Sequence, residues 1–269
     1  MTPVGSSTPA ALPLQRVGAG RTLQGFANLL RKELATWTRT RSGWVQLVLW
    51  LAILNGLMTL PLVFMRATFT GDMGSPFRAA MDMFFNLGGL APYAAVVILA
   101  HGAIIGERQL GTAAWVLSKP VARSAFVLSK FVAFGLALLV LALAVPGLVA
   151  YAALSLEAGA PLDVARFAAG VGMLALGLLW YLALTLMLGT LASARGVVLA
   201  VPLILLVGGD MLIMLWPTVA ELGPWMLGRM AMMVAEGGPL LSPGPLLSTA
   251  LGTVVFLAIA LWRFGREEF

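Results

Sequence analysis

From Trp44 onward the chain alternates long, nearly uninterrupted apolar runs with short polar connections. Six runs stand out: Trp44–Met65, Leu87–Ile105, Phe131–Leu154, Phe167–Ala192, Gly196–Pro217 and Pro245–Trp262. Each is close to the length of about 20 residues that a helix needs to cross the hydrocarbon core of a bilayer. A run such as "FVAFGLALLVLALAVPGLVAYAALSL" has no polar alternation, so it cannot be a strand of a transmembrane barrel. The pattern predicts an all-α membrane protein with six transmembrane helices.

Two segments precede the first run. Residues 1–21 are rich in Pro, Gly, Ser and Thr, without apolar period, and read as a flexible tail. The tail has no apolar core of the kind a secretory signal carries, so the first run is expected to stay as an anchor. Over residues 22–43 the pattern changes: Leu23, Phe26, Leu30, Leu34 and Trp37 recur at three- and four-residue steps, with Arg31, Lys32 and Arg39 on other faces. This predicts an amphipathic helix lying in the membrane interface as an elbow. Residues 44–269 then form one six-helix membrane domain.

Composition agrees and adds sidedness. Hydrophobic residues are 60% of the 269 positions and charged residues 10%, against about 25% charged in a soluble domain. With the N-terminus placed in the cytoplasm, 13 of the 17 Lys and Arg fall inside and only Arg66, Arg78, Arg166 and Arg229 outside. That asymmetry predicts both termini inside a cell membrane, the inner membrane if the source is bacterial. The net charge of +6 is thus explained by topology, and no nucleic-acid partner is expected. Six acids, Asp72, Asp82, Glu157, Asp163, Glu221 and Glu236, fall on the outer side. The outer connection Thr218–Gly244 is too long for a tight turn, and its run "PWMLGRMAMMVA" predicts one or two short helices dipping into the outer leaflet.

The connection Gly106–Lys130, "GERQLGTAAWVLSKPVARSAFVLSK", is the polar exception. Gly106, Gly111 and Thr112 bound a short helix "TAAWVLS" that Pro120 stops, and a second helix starts near Val121. Such a break presents Trp115, Val116 and Leu117 to the cytoplasm, rimmed by Glu107, Arg108, Lys119 and Arg123. An exposed apolar knob with a charged rim suits protein docking; a loop whose basic residues only set topology looks the same. The physics leaves both readings open.

These residues carry a resemblance. Glu107, Gly111–Thr112, then Leu117, Ser118, Lys119, Pro120, Val121, Arg123 and Lys130 resemble the first cytoplasmic loop of type-2, exporter-type (type V fold) ABC transporter permease subunits. The stretch "LLRKELATWTRTRSGW" and the closing "WRFGREEF" are similar to that family's elbow helix and C-terminus. The resemblance implies that loop 106–130 contains a coupling helix seated in a separate ATPase subunit. Glu107 would orient that interface, Gly111 and Thr112 would start the coupling helix, and Pro120 with Arg123 would fix its exit. Trp115 departs from the polar residue or Leu more usual there. Two ATPase copies holding ATP and Mg, a second permease of like or unlike sequence and an outer accessory subunit are the implied partners, besides the lipid bilayer.

Elimination sharpens this. No lysine follows a glycine, so no phosphate-cradling Gly-x-x-x-x-Gly-Lys loop is present and the chain holds no nucleotide site of that kind. His101 is the single histidine, which excludes a His-Glu-x-x-His zinc helix; there is no Gly-x-Ser-x-Gly elbow and no cysteine. A non-catalytic membrane subunit without its own cofactor is expected. Two other classes stay in view: an ATPase-coupled scaffold that moves no substrate, and an ion-coupled secondary transporter, the latter disfavoured because the halves show no internal repeat.

A few polar positions lie at membrane depth. Asp210 is a candidate for the substrate path or for a helix-end hydrogen bond. Asn55 is a candidate for the path but suits helix–helix hydrogen bonding better. His101 reads as a hydrogen-bonded interfacial residue. The outer methionines Met73, Met81, Met83, Met226, Met230, Met232 and Met233 are soft enough for Cu(I) and equally good as adaptable packing.

Overall fold

The computed structural model describes residue 23 and residues 25–68, 75–119, 121–240 and 242–267. Within them the chain is helical, without a strand. Helix α1 (Phe26–Thr38) occupies the segment expected to be amphipathic. Its buried stripe runs along α8 (Arg123–Leu138), with Leu29 buried and Trp37 edge-on to Phe134 at 5.6 Å between ring centroids. Thr40 then caps α2 (Arg41–Trp50) by accepting from the Ser42 amide, which satisfies one of the amides a helix start leaves open.

Five helical stretches are long and apolar enough to cross a membrane: Arg41–Phe64, Pro76–Gln109, Arg123–Ala158, Val164–Leu191 and Gly244–Gly265. The sixth expected run forms α11 (Arg195–Leu215), of which Arg195–Gly209 is described throughout as an apolar helix. The side chains of Leu117 and Asp210, and all of Pro120 and the 1–21 tail, lie outside the described residues.

The second stretch departs from its predicted form. The apolar run was expected as one span over Leu87–Ile105, but α4 (Pro76–Gly88) ends inside that run and α5 (Ala91–Ala100) restarts after Gly89–Leu90. Pro92 has no N–H for the Gly88 carbonyl and crowds it, and packing fits the break. At the break the chain runs against α12 (Leu227–Ala235), where a Cβ on Gly89 would come within 3.3 Å of the Gly228 backbone. Short 3-10 turns at Pro217–Leu222 and Pro224–Met226 lead into α12, which lies on α4 and α10 (Val164–Leu191). Met81, Met230 and Met232 are buried in this contact, so these described methionines are used as packing. Met73 lies outside the described residues.

Helix α10 is the hub, packing on α5, α8, α11, α12 and α13 (Gly244–Gly265). Two π-helical turns interrupt neighbouring spans, Leu51–Gly56 between α2 and α3 (Leu57–Thr68), and Leu139–Ala144 between α8 and α9 (Val145–Ala158). Pro146 gives the second a cause: its ring has no N–H for the Ala142 carbonyl and crowds it, and a wider turn relieves the clash. Asn55, on the first π turn and buried, donates from Nδ2 to the Pro146 carbonyl at 2.9 Å. That contact is the interhelical hydrogen bond expected of it.

Candidate functional site

The polar groups of the bundle concentrate at the end where α6 (Ile105–Gln109) and α7 (Thr112–Leu117) join the second span to α8. Gly111 between them sits at φ +70°, a left-handed conformation open to glycine at little cost. The reversal lets Thr112 Oγ1 donate to the Glu107 carbonyl at 3.2 Å. Helix α7 is thereby offset from α6 and lifts Trp115 into the open, 66% exposed. Lys119 Nζ stands 4.8 Å from the centre of the Trp115 ring. With Val116, Val121, Leu29 and Lys32 these residues line a cleft of about 410 Å³ between α7 and α1.

Behind this surface lies a charged web. Lys130, on α8 and only 2% exposed, donates to Glu107 Oε1 at 2.7 Å and to Glu33 Oε1 at 3.0 Å. Its ammonium is also 4.9 Å from the Phe126 ring centre, and Phe126 stacks on Phe264 of α13 at 5.0 Å. Burying an ammonium costs several kcal/mol; two carboxylates and an aromatic face supply the compensation. Glu107 thus ties three elements together: α6, α8 and, through Lys130, α1.

Arg108 does the same for another set. Its Nε donates to Glu267 Oε1 at 2.8 Å, with a second bond from Nη2, and Nη1 reaches the carbonyls of Gly189 and Ala192 at 3.1 and 3.2 Å. Those carbonyls belong to the end of α10, where a helix leaves acceptors without amide partners. Arg123 donates to the carbonyls of Gly265 and Glu267, capping the end of α13. Gln109 bridges Ser193 and Arg195, at 3.1 and 2.8 Å, at the start of α11.

The rim expected around Trp115 is therefore split. Glu107 and Arg108 point inward and hold the loop to α8, α1, the end of α10 and the C-terminus after α13, because each finds an opposite charge or helix-end carbonyl there. Trp115 and Lys119 face outward, and Arg123 is turned to the C-terminus. The sequence reading missed Glu33, the partnership of Lys130 and the role of Glu267. A signal for Glu33 existed: it shares a helical face with Leu29 and Trp37 at four-residue steps, and a carboxylate on an apolar stripe asks for a cation.

The other candidates sit elsewhere. Asn55 faces α9, far along the chain from the web; Asp210 is on α11, its side chain outside the described residues. His101 Nδ1 lies 2.7 Å from the Ile98 carbonyl, a local bond within its own helix end. Among the described residues no three His, Asp or Glu side chains are grouped to hold a metal ion.

Comparison with known proteins places this architecture. Over 215 residues the chain is 29% identical to the "Probable ABC transporter permease protein NosY" of Stutzerimonas stutzeri, covering 74% of this chain and 75% of that protein. The family described as "Protein of unknown function (DUF2705)" matches residues 45–269, the whole of the membrane region from the first span to the C-terminus, and the chain belongs to that family.

Proposed function

We propose that the chain is the membrane-spanning permease subunit of an ATP-driven ABC transporter of the export type, with α7 as its coupling helix. The likeness to an ABC permease supports the coarser part, a transmembrane permease subunit that works with an ATPase. The finer reading is six spans, an interfacial elbow at α1, both termini cytoplasmic, and a pair of permeases served by two ATPase chains that hold ATP and Mg. The chain itself carries no catalytic group in this scheme.

One observation carries the proposal: α7 is exposed at Trp115 while its root is bolted to the bundle by Glu107 and Arg108. A surface element held that way transmits displacement. A push on α7 by a closing ATPase reaches α8 through Lys130, and α10 and α13 through Arg108, without first deforming the loop. The spans would then open or squeeze a path for substrate between the two permeases.

The test is a Trp115→Ala, Lys119→Glu variant of the full chain, purified from its native host by an affinity tag. The expected result is loss of the co-purifying ATPase and its hydrolysis, with the melting temperature of the permease alone unchanged, since both side chains are exposed. Retention of a fully active ATPase by this variant sinks the assignment of α7.

A further inference from the structure

A cavity of about 200 Å³ lies among α4, α5, α10, α11, α12 and the Pro224–Met226 turn. Asn86, Trp225 and Arg229 line it together with Tyr93, Tyr181 and Leu206. Its chemistry is one-sided. Tyr93 and Tyr181, with ring centroids 5.3 Å apart, are both buried, and neither hydroxyl donates a hydrogen bond to any described residue. The other donors near them are spent: Trp225 Nε1 donates to the Leu205 carbonyl at 2.8 Å, and Asn86 Nδ2 to Asp82 at 2.7 and 3.0 Å. Among the described residues no carboxylate lines the cavity. Arg229 is exposed and is the one cationic lining group among the described residues.

Buried hydroxyls are almost always hydrogen-bonded, because an unmet phenol loses its hydration for nothing. Here two such donors and a guanidinium line one space too large for a packing defect, and among the described residues no carboxylate stands there to repel an anion. We infer that this cavity is a binding site for a phosphate group, with Tyr93 and Tyr181 donating to its oxygens and Arg229 neutralising its charge. Arg229 and Trp225 are also the residue types that anchor at a bilayer's polar boundary, where phospholipid phosphates are at hand. A headgroup phosphate and free phosphate share this chemistry, and experiment separates them. The inference does not depend on the ATPase partnership.

The full chain is reconstituted in nanodiscs of phosphatidylglycerol mixed with a phosphate-free galactolipid, and the lipid retained after release is counted by native mass spectrometry. In parallel, lipid-stripped protein in detergent is melted with and without inorganic phosphate. Tyr93→Phe and Arg229→Gln are the test variants; each keeps the bulk of the side chain. Tyr151→Phe is the control, since Tyr151 bonds the Leu162 carbonyl outside the cavity. Selective retention of phosphatidylglycerol, weakened about tenfold in either variant and unchanged in the control, supports a lipid phosphate. A melting shift with inorganic phosphate alone, lost in the variants, supports the free ion. Equal retention of the galactolipid, or wild-type binding of both probes by Tyr93→Phe and Arg229→Gln, overturns the inference.

Discussion

Replacing Lys130 by Met keeps the length of the side chain and removes its charge from between Glu33 and Glu107. Removing one partner of a buried pair costs about 3–5 kcal/mol, because the charge left behind is uncompensated. The two carboxylates keep 15% and 23% of their side-chain exposure, so water reaches them, and the figure falls to about 2–3 kcal/mol. Equilibrium unfolding of the purified chain in mixed micelles, followed by circular dichroism, measures it. The informative companion is the triple variant Lys130→Met, Glu33→Gln, Glu107→Gln. With every charge of the cluster gone, nothing is stranded, and stability should return to within about 1 kcal/mol of wild type, as for other buried ion pairs replaced by neutral groups. A single variant indistinguishable from wild type, or a triple variant no better than the single one, would refute the reasoning.

Three other perturbations test the packing. Arg108→Gln frees Glu267 and two carbonyls at the end of α10; carboxypeptidase should then trim the C-terminus several-fold faster, at a cost of about 1.5–3 kcal/mol in stability. In Gly177→Ala the new Cβ would stand 2.1 Å from Tyr93 Oη, so a loss of about 1–3 kcal/mol is expected, with partial recovery when Tyr93→Leu is added, read as melting temperatures. Asn55→Ala breaks the bond to Pro146 and should cost about 0.6–1.7 kcal/mol. Asn55→Leu should cost less, because it also removes the buried Oδ1 that has no partner among the described residues; the same unfolding assay ranks the pair.

The helical class and the apolar runs were legible because hydropathy is local: a helix satisfies its own backbone bonds, so each span can be read from its own residues. The short helix at Thr112–Leu117 was legible too, since Gly111 marks the turn before it. The break at Gly89–Leu90 was missed, although Gly88–Gly89 and Pro92 mark it. Leu87–Ile105 is apolar on both sides of it, so hydropathy alone hides it, and the close approach of α12 at Gly89 comes from about 140 residues further along the chain.

The candidate site divides along the same line. Its residue types were visible in "GERQLGTAAWVLSKPVARSAFVLSK", and so was the exposure of Trp115, an apolar residue in a polar loop. The direction in which Glu107 and Arg108 point was not, because their partners come from distant elements: Glu33 is 97 positions from the Lys130 it shares with Glu107, and Glu267 is 159 from Arg108. By itself the sequence determined that this chain belongs in a bilayer as a helical bundle with one charged, turn-punctuated loop. Only the tertiary structure decided that Glu107, Arg108 and Lys130, three of that loop's five charges, are inward bolts and that two phenols of α5 and α10 line one cavity. A charge or hydroxyl acquires its role from whatever opposite group the packing brings within about 3 Å, and that distance is set between helices, not within them.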